Sequence, residues 1–174
     1  SEMCKETALN SEGYASQCVY SLSSQNRIYQ FSYSAEGYLT GIVENIDDIE
    51  YSSTSLTYEN GDITSISSKM NGLENKFIYE PGEESSTYHL PCLGLLEMHP
   101  LTFHIEALYA GLLGKDPRHF TIRSSPAGSN DEKTVYSYGF DKKGNPSRMI
   151  CQTTYAGGQA SYYPYTRNIS VSFE

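Results

Sequence analysis

Residues 29–40 read Tyr29-Gln30-Phe31-Ser32-Tyr33-Ser34-Ala35-Glu36-Gly37-Tyr38-Leu39-Thr40. Tyr29, Phe31 and Tyr33 alternate with polar residues, so they share one face of a strand, whose side-chain period is two. Ser34 to Gly37 supplies a turn, and Tyr38 to Val43 is largely apolar again. A strand, a glycine-containing turn and a second strand make a hairpin. This unit decides the fold because it recurs.

In the second copy Leu56 and Tyr58 precede Asn60-Gly61, and Ile63 to Ile66 follow. Asn-Gly between alternating runs is a strong hairpin signal, because both central residues must take positive φ. A third, partial copy sets Phe77 and Tyr79 before Pro81-Gly82. A fourth sets Tyr136, Tyr138 and Phe140 before Asp141-Lys142-Lys143-Gly144. Gly37 and Gly61 are 24 residues apart, and Gly61 and Gly82 are 21 apart, a spacing that suits one two-stranded unit per repeat. Asn45 to Asp48 reads as a polar connection. Ser124 to Asp131 reads as a polar loop. Gly157-Gly158 marks a last turn, and Ile169, Val171 and Phe173 alternate as a closing strand.

One hairpin cannot bury its apolar face alone and must pair with the next. The expected fold is therefore mainly β: an antiparallel meander of hairpin repeats, curled into a barrel or half-barrel that hides its edges. One segment breaks the pattern. Leu101, Ile105, Leu108 and Leu112 follow helical spacing, with Pro100 in the first turn and Gly114 as the stop. The spacing predicts one amphipathic helix over 99–113, packed on the sheet. Residues 1–26 read as an N-terminal tether with a possible first strand around 16–22, and residues 27–174 as a single β-meander domain.

Composition narrows the function classes. The chain has 174 residues, 16 of them Tyr and none Trp, and Tyr suits half-buried pleated surfaces. Its net charge of −9 argues against a nucleic-acid partner, which needs a basic surface. It also disfavours adsorption to anionic lipid. No apolar run approaches the roughly 20 residues of a transmembrane helix. Ser1-Glu2-Met3-Cys4-Lys5 is polar and is no signal peptide, so a cytosolic protein and one whose leader has been removed both fit.

The repeat unit at residues 29–40 resembles a degenerate YD-type repeat, the Tyr/Asp–Gly hairpin of Rhs-like shells. Over about residues 27–174, including Ala110-Gly111-Leu112-Leu113-Gly114-Lys115, the chain is similar to a family of uncharacterised exported lipoproteins of Bacteroidetes. That family is a domain of unknown function with a porin-like fold. The resemblance implies an upstream leader with a lipid-bearing cysteine and an extracytoplasmic location, in the periplasm or at the cell surface. It implies no catalytic residues. Porin-like would here describe strand topology, since the polar strands offer no lipid-facing apolar belt.

Candidate sites are few. His89, Cys92, His99 and His104 are a weak metal-ligand set, because the last pair is spaced i, i+5 and points apart on a helix. Glu44, Asn45, Asp47, Asp48 and Glu50 lack the EF-hand order and read as a solvated turn. Cys4, Cys18, Cys92 and Cys151 allow three full disulfide pairings. A Cys4–Cys18 bridge would close a short loop, with free thiols the alternative. No nucleophile elbow or phosphate loop is present, and no cofactor is implied. The tyrosine surplus has functional reach, because so many hydroxyls need partners when buried. Tyr29, Tyr33, Tyr38, Tyr58, Tyr162 and Tyr163 are the candidate ligand-binding residues. The leading expectation is a non-enzymatic binding or interaction module for a glycan, a peptide or an envelope protein. The alternatives are a glycan-processing enzyme using paired carboxylates, and a structural envelope lipoprotein.

Overall fold

The computed structural model describes residues 4–22, 25–85, 107–108, 110–129, 131–143, 146–155 and 165–170. These residues form one sheet of eleven strands, in which each strand pairs with the next in sequence. The strands are β1 (Cys4–Leu9), β2 (Ala15–Leu22), β3 (Gln25–Tyr33), β4 (Leu39–Ile46), β5 (Ile49–Glu59), β6 (Asp62–Met70), β7 (Leu73–Ser85), β8 (His119–Pro126), β9 (Glu132–Phe140), β10 (Pro146–Tyr155) and β11 (Tyr165–Ser170). Every pairing is antiparallel. The meander expected from the repeats is present. The barrel is not: among the described residues β1 and β11 remain the two edges, and the sheet is open.

The turns explain the register. In an up-and-down meander successive turns fall on alternate rims. On one rim the turn glycines are Gly13, Gly37 and Gly61, with φ of 86°, 91° and 87°. They stand 24 residues apart. On the opposite rim lie Asp47-Asp48 (φ 48° and 66°) and Asn71-Gly72 (φ 51° and 77°). Positive φ at both central residues gives a two-residue turn whose twist matches that of the strands, and Asn and Asp tolerate it better than other non-glycine residues. The Asn71-Gly72 turn displaces the one expected at Pro81-Gly82. Those two residues lie inside β7, where the register to β8 shifts around Pro81. A proline is tolerated in a strand at such a break in the ladder.

Two other expectations change. The N-terminal stretch is not a tether up to residue 26, since β1 and β2 already form the first hairpin of the sheet. Ser124 to Pro126 belong to β8 and not to a loop, and the turn comes at 127–128. The expected turns at Gly144 and at Gly157-Gly158 and the end of the closing strand lie outside the described residues.

One face of the sheet carries the core. Tyr29, Phe31, Leu39, Ile42, Leu56, Ile63, Ile66 and Tyr79 are buried in one cluster with Ala107, Leu108 and Leu113. A smaller cluster of Tyr136, Met149 and Cys151 sits on β9 and β10. The helix expected over 99–113 is shortened. Ala107 and Leu108 are helical, but the chain turns at 110–111, and Gly111 and Gly114 take positive φ. Residues 99–106 and 109 lie outside the described residues. Leu112 and Leu113, predicted as the end of the helix, instead begin a strap across the glycine rim.

Three backbone hydrogen bonds define the strap. Ala15 N–H donates to Leu112 O at 2.7 Å, Lys115 N–H to Gly37 O at 2.9 Å, and Arg118 N–H to Gly61 O at 3.0 Å. The strap residues are spaced by three, and each successive bond reaches the next hairpin. Neighbouring hairpins on a rim are two strand spacings apart, about 9.6 Å. Three residues of extended chain cover about 10 Å. The match lets one segment stitch three hairpins together. A Cβ at Gly114 would lie 2.7 Å from Gly37 O and 3.1 Å from Leu39 N, so the strap approaches the turn too closely for a side chain.

Comparing two alanine variants checks the strap. Gly72 has positive φ but nothing within 4 Å of an added Cβ. Gly72→Ala should cost about 1 kcal/mol from backbone strain alone. Gly114→Ala adds a clash with backbone and should cost about 2–3 kcal/mol. Urea unfolding midpoints of the two variants measure the difference.

Candidate functional site

The strap meets the hairpins where the sheet is irregular. The three hairpins under it carry register shifts at Ala8/Leu9, Ser32/Tyr33 and Thr57/Tyr58. A bulge bends the strand and re-aims the adjacent side chain. Tyr33 and Tyr58 follow two of these shifts. Tyr33 donates its hydroxyl to Ala15 O at 2.6 Å and stacks on Tyr14 with ring centroids 5.3 Å apart. Tyr58 lies 4.9 Å from the ring of Tyr38, tilted by 30°. The Lys115 ammonium sits 6.0 Å over the Tyr38 ring, within cation–π range.

Beside this pair is a shallow indentation of about 280 Å3, counted out to open solvent. Leu39, Leu108 and Leu113 form its apolar floor, Tyr58 an aromatic wall, and Lys115 and Asp116 its charged lip. Tyr38 and Tyr58 are half-buried, while Lys115 is exposed. The enclosed part is only about 10 Å3, room for about one water, so a ligand would rest on the rim against Tyr58 and not inside a pocket.

Asp62 anchors the end of the strap. It is buried, and its Oδ1 accepts the His119 backbone N–H at 2.8 Å. Its Oδ2 faces His119 Nδ1, also at 2.8 Å. Arg118 Nη1 donates to Asn60 O at 3.3 Å. The hairpin turns at Gly37 and Asn60-Gly61 were signals of this rim in the sequence, but nothing in Lys115 to His119 itself marks that run as part of it. Tyr14 and Asp62 gave no signal, because their roles depend on hairpins meeting a segment some 50 to 100 residues away.

The opposite end of the inner face holds a buried carboxylate. Glu44 is 2% exposed. Its Oε1 accepts the Tyr29 hydroxyl at 2.5 Å and Arg27 Nη1 at 3.2 Å, and its Oε2 accepts Ser52 Oγ at 2.9 Å. Asp47 and Asp48 form the turn, so the acidic run expected as one solvated turn is split between core and surface. Tyr29 is 1% exposed, which removes it from the ligand-binding candidates. Burial, then the bond to Glu44, raises its phenol above the ordinary tyrosine value. Burial likewise raises Tyr33, followed by the nearby Cys18 and Tyr14.

Of the six candidate tyrosines the structure brings Tyr38 and Tyr58 together, sets Tyr33 under the strap beside Gly114 with its hydroxyl bonded to Ala15 O, and buries Tyr29 in the core. Tyr162 and Tyr163 lie outside the described residues, as do His89, Cys92, His99 and His104. The Cys4–Cys18 bridge does not form. Cys4 stands opposite Ser21, whereas Cys18 stands opposite Thr7 as a free thiol, its Sγ 3.0 Å from Thr7 Oγ1. The two buried carboxylates described, Glu44 and Asp62, face Ser52 and Glu59 on β5. That places them roughly 20 Å apart at about 3.3 Å per residue. Glycoside hydrolysis needs a separation of about 5–10 Å.

Residues 2–148 match the family model described as a domain of unknown function (DUF4595) with porin-like fold. The chain belongs to this family. A crystal structure of a porin-like protein from Bacteroides uniformis superposes on this porin-like domain with a TM-score of 0.86 and 25% identity. The match covers 99% of this chain and 71% of that one. No curated protein matches the sequence. Among the described residues of the porin-like domain no helix is long and apolar enough to cross a membrane.

The raised phenols make stability depend on alkaline pH. In the unfolded chain Tyr29 and Tyr33 ionise near pH 10, while in the fold they stay protonated to higher pH. Their contribution is therefore complete below about pH 10 and is lost as pH rises beyond it. Urea midpoints measured between pH 9 and 11 should fall with pH. The fall should be shallower in Tyr29→Phe, whose side chain cannot ionise in either state.

Proposed function

We propose that this porin-like domain is an extracytoplasmic, non-enzymatic binding module that takes one sugar ring on the strap rim. The observation that carries the reading is the Tyr38–Tyr58 pair beside the indentation lipped by Lys115 and Asp116. An aromatic wall receives the apolar face of a pyranose, and adjacent charged groups receive its hydroxyls. The export and the lipid anchor in this reading are supported by the resemblance to exported Bacteroidetes lipoproteins. The non-enzymatic part is supported by the roughly 20 Å between the two buried carboxylates described, Glu44 and Asp62, against the ~5–10 Å that glycoside hydrolysis needs.

A glycan array followed by calorimetry tests this. A sugar that binds the wild-type chain should lose about tenfold in affinity to Tyr58→Ala, equivalent to about 1.4 kcal/mol. Lys115→Ala should lose several-fold. Tyr51→Ala, on the opposite rim, should leave binding unchanged. Equal affinities in Tyr58→Ala and the wild type, or no binding across the array, would overturn the sugar reading.

A further inference from the structure

The rim opposite the strap is built by the same repeat but is differently finished. On the strap rim Ala15, Leu39 and Ile63 re-enter the sheet after each turn and are buried. On the opposite rim Ile49 and Leu73 re-enter after the Asp47-Asp48 and Asn71-Gly72 turns, and they are 72% and 73% exposed. They too stand 24 residues apart. Register places them on the core face. Ile49 pairs with Ile46, which pairs with Arg27, while Leu73 pairs with Met70, which pairs with Ser52 and so with Glu44. Met70 and Tyr51 are exposed as well, and Arg27 lies 6.0 Å over the Tyr51 ring. The result is an apolar patch at the rim, set off from the main core by the buried polar side chains of Glu44, Ser52 and Ser68.

Two observations say what fits there. The first is charge. Asp47, Asp48, Glu50 and Glu74 are exposed around the patch. Facing them among the described residues near the patch are Lys69, which stands opposite Glu74 in the ladder, Lys76, and Arg27, which is ion-paired with Glu44 at 3.2 Å. The surroundings are net acidic and complement a cationic partner. The second is spacing. Ile49 and Leu73 lie two strands apart, and the β4–β5 hairpin overhangs its neighbour, so their separation is about 12 Å, or about four residues of extended chain. The strap shows that an extended segment laid across these hairpins meets one of them every three residues.

We infer that this rim binds an extended, cationic segment of a partner protein, with apolar side chains three to four residues apart. The segment would cover Ile49, Met70 and Leu73 as the strap covers Ala15, Leu39 and Ile63. The inference is independent of sugar binding, which uses the other rim.

Three synthetic peptides test it: one with leucine at every fourth position and lysine between, the same peptide with glutamate for lysine, and a lysine peptide without leucine. Each is titrated into the full chain and followed by backbone amide shifts. The leucine–lysine peptide should shift amides of residues 46–52 and 70–74, and its affinity should drop at least tenfold in the double variant Ile49→Ser, Leu73→Ser. Both positions are exposed, so an unchanged urea midpoint confirms that the variant folds. Equal binding of the glutamate peptide, equal binding of the leucine-free peptide, shifts elsewhere, or no binding at all would each overturn the inference. Self-association abolished by the double variant would also overturn it, in favour of a second copy of this chain.

Discussion

Three hydrogen bonds from the strap to the glycine rim tie the sheet to its cover. A lone up-and-down sheet exposes one apolar face, and an isolated hairpin is marginal in water. Here the apolar face near the rim is closed by Ala107, Leu108 and Leu113, and those residues are held there by the bonds at Ala15, Gly37 and Gly61. Each bond uses backbone only, so it asks for a turn of the right shape and not for a particular side chain. The positive φ of the turn glycines provides that shape. The Tyr38–Tyr58 pair, the indentation and the Asp62–His119 contact all lie where strap and turns meet.

Much of this architecture was legible because it is periodic. Alternation at Tyr29, Phe31 and Tyr33, and the Asn60-Gly61 dipeptide, each have one physical reading, and both hold in the structure. The errors came where one residue type has two uses. Pro81-Gly82 looks like a turn, but it sits in a broken stretch of ladder, while the quieter Asn71-Gly72 makes the bend. Leu101 to Leu112 has helical spacing, yet Leu112 and Leu113 serve an extended strap, because the contacts that recruit them come from Ala15 and Gly37. Nothing local to residues 99–113 contains that information. Barrel closure was also beyond a local reading, since it depends on whether the first and last strands meet.

The candidate sites follow the same division. Counting tyrosines marked the right residue type but could not sort it. Tyr29 and Tyr38 belong to the same repeat unit, but one points at Glu44 and the other at Lys115. Glu44 read as one more acid in a solvated run. Strand alternation turned it inwards, while Asp47 and Asp48 took the turn. Its hydrogen bonds from Tyr29, Arg27 and Ser52 satisfy a charge that would otherwise be costly to bury.

The three-residue step of the strap couples two lengths that usually vary separately. In most β-meanders a hairpin can be gained or lost without touching any other part of the chain. Here, inserting one more 24-residue unit between Gly13 and Gly61 would leave the strap one hairpin short unless it also grew by three residues. Duplication of the repeat is therefore penalised unless a second, distant segment changes with it. The strap acts as a ruler for the sheet, holding repeat number constant through length alone.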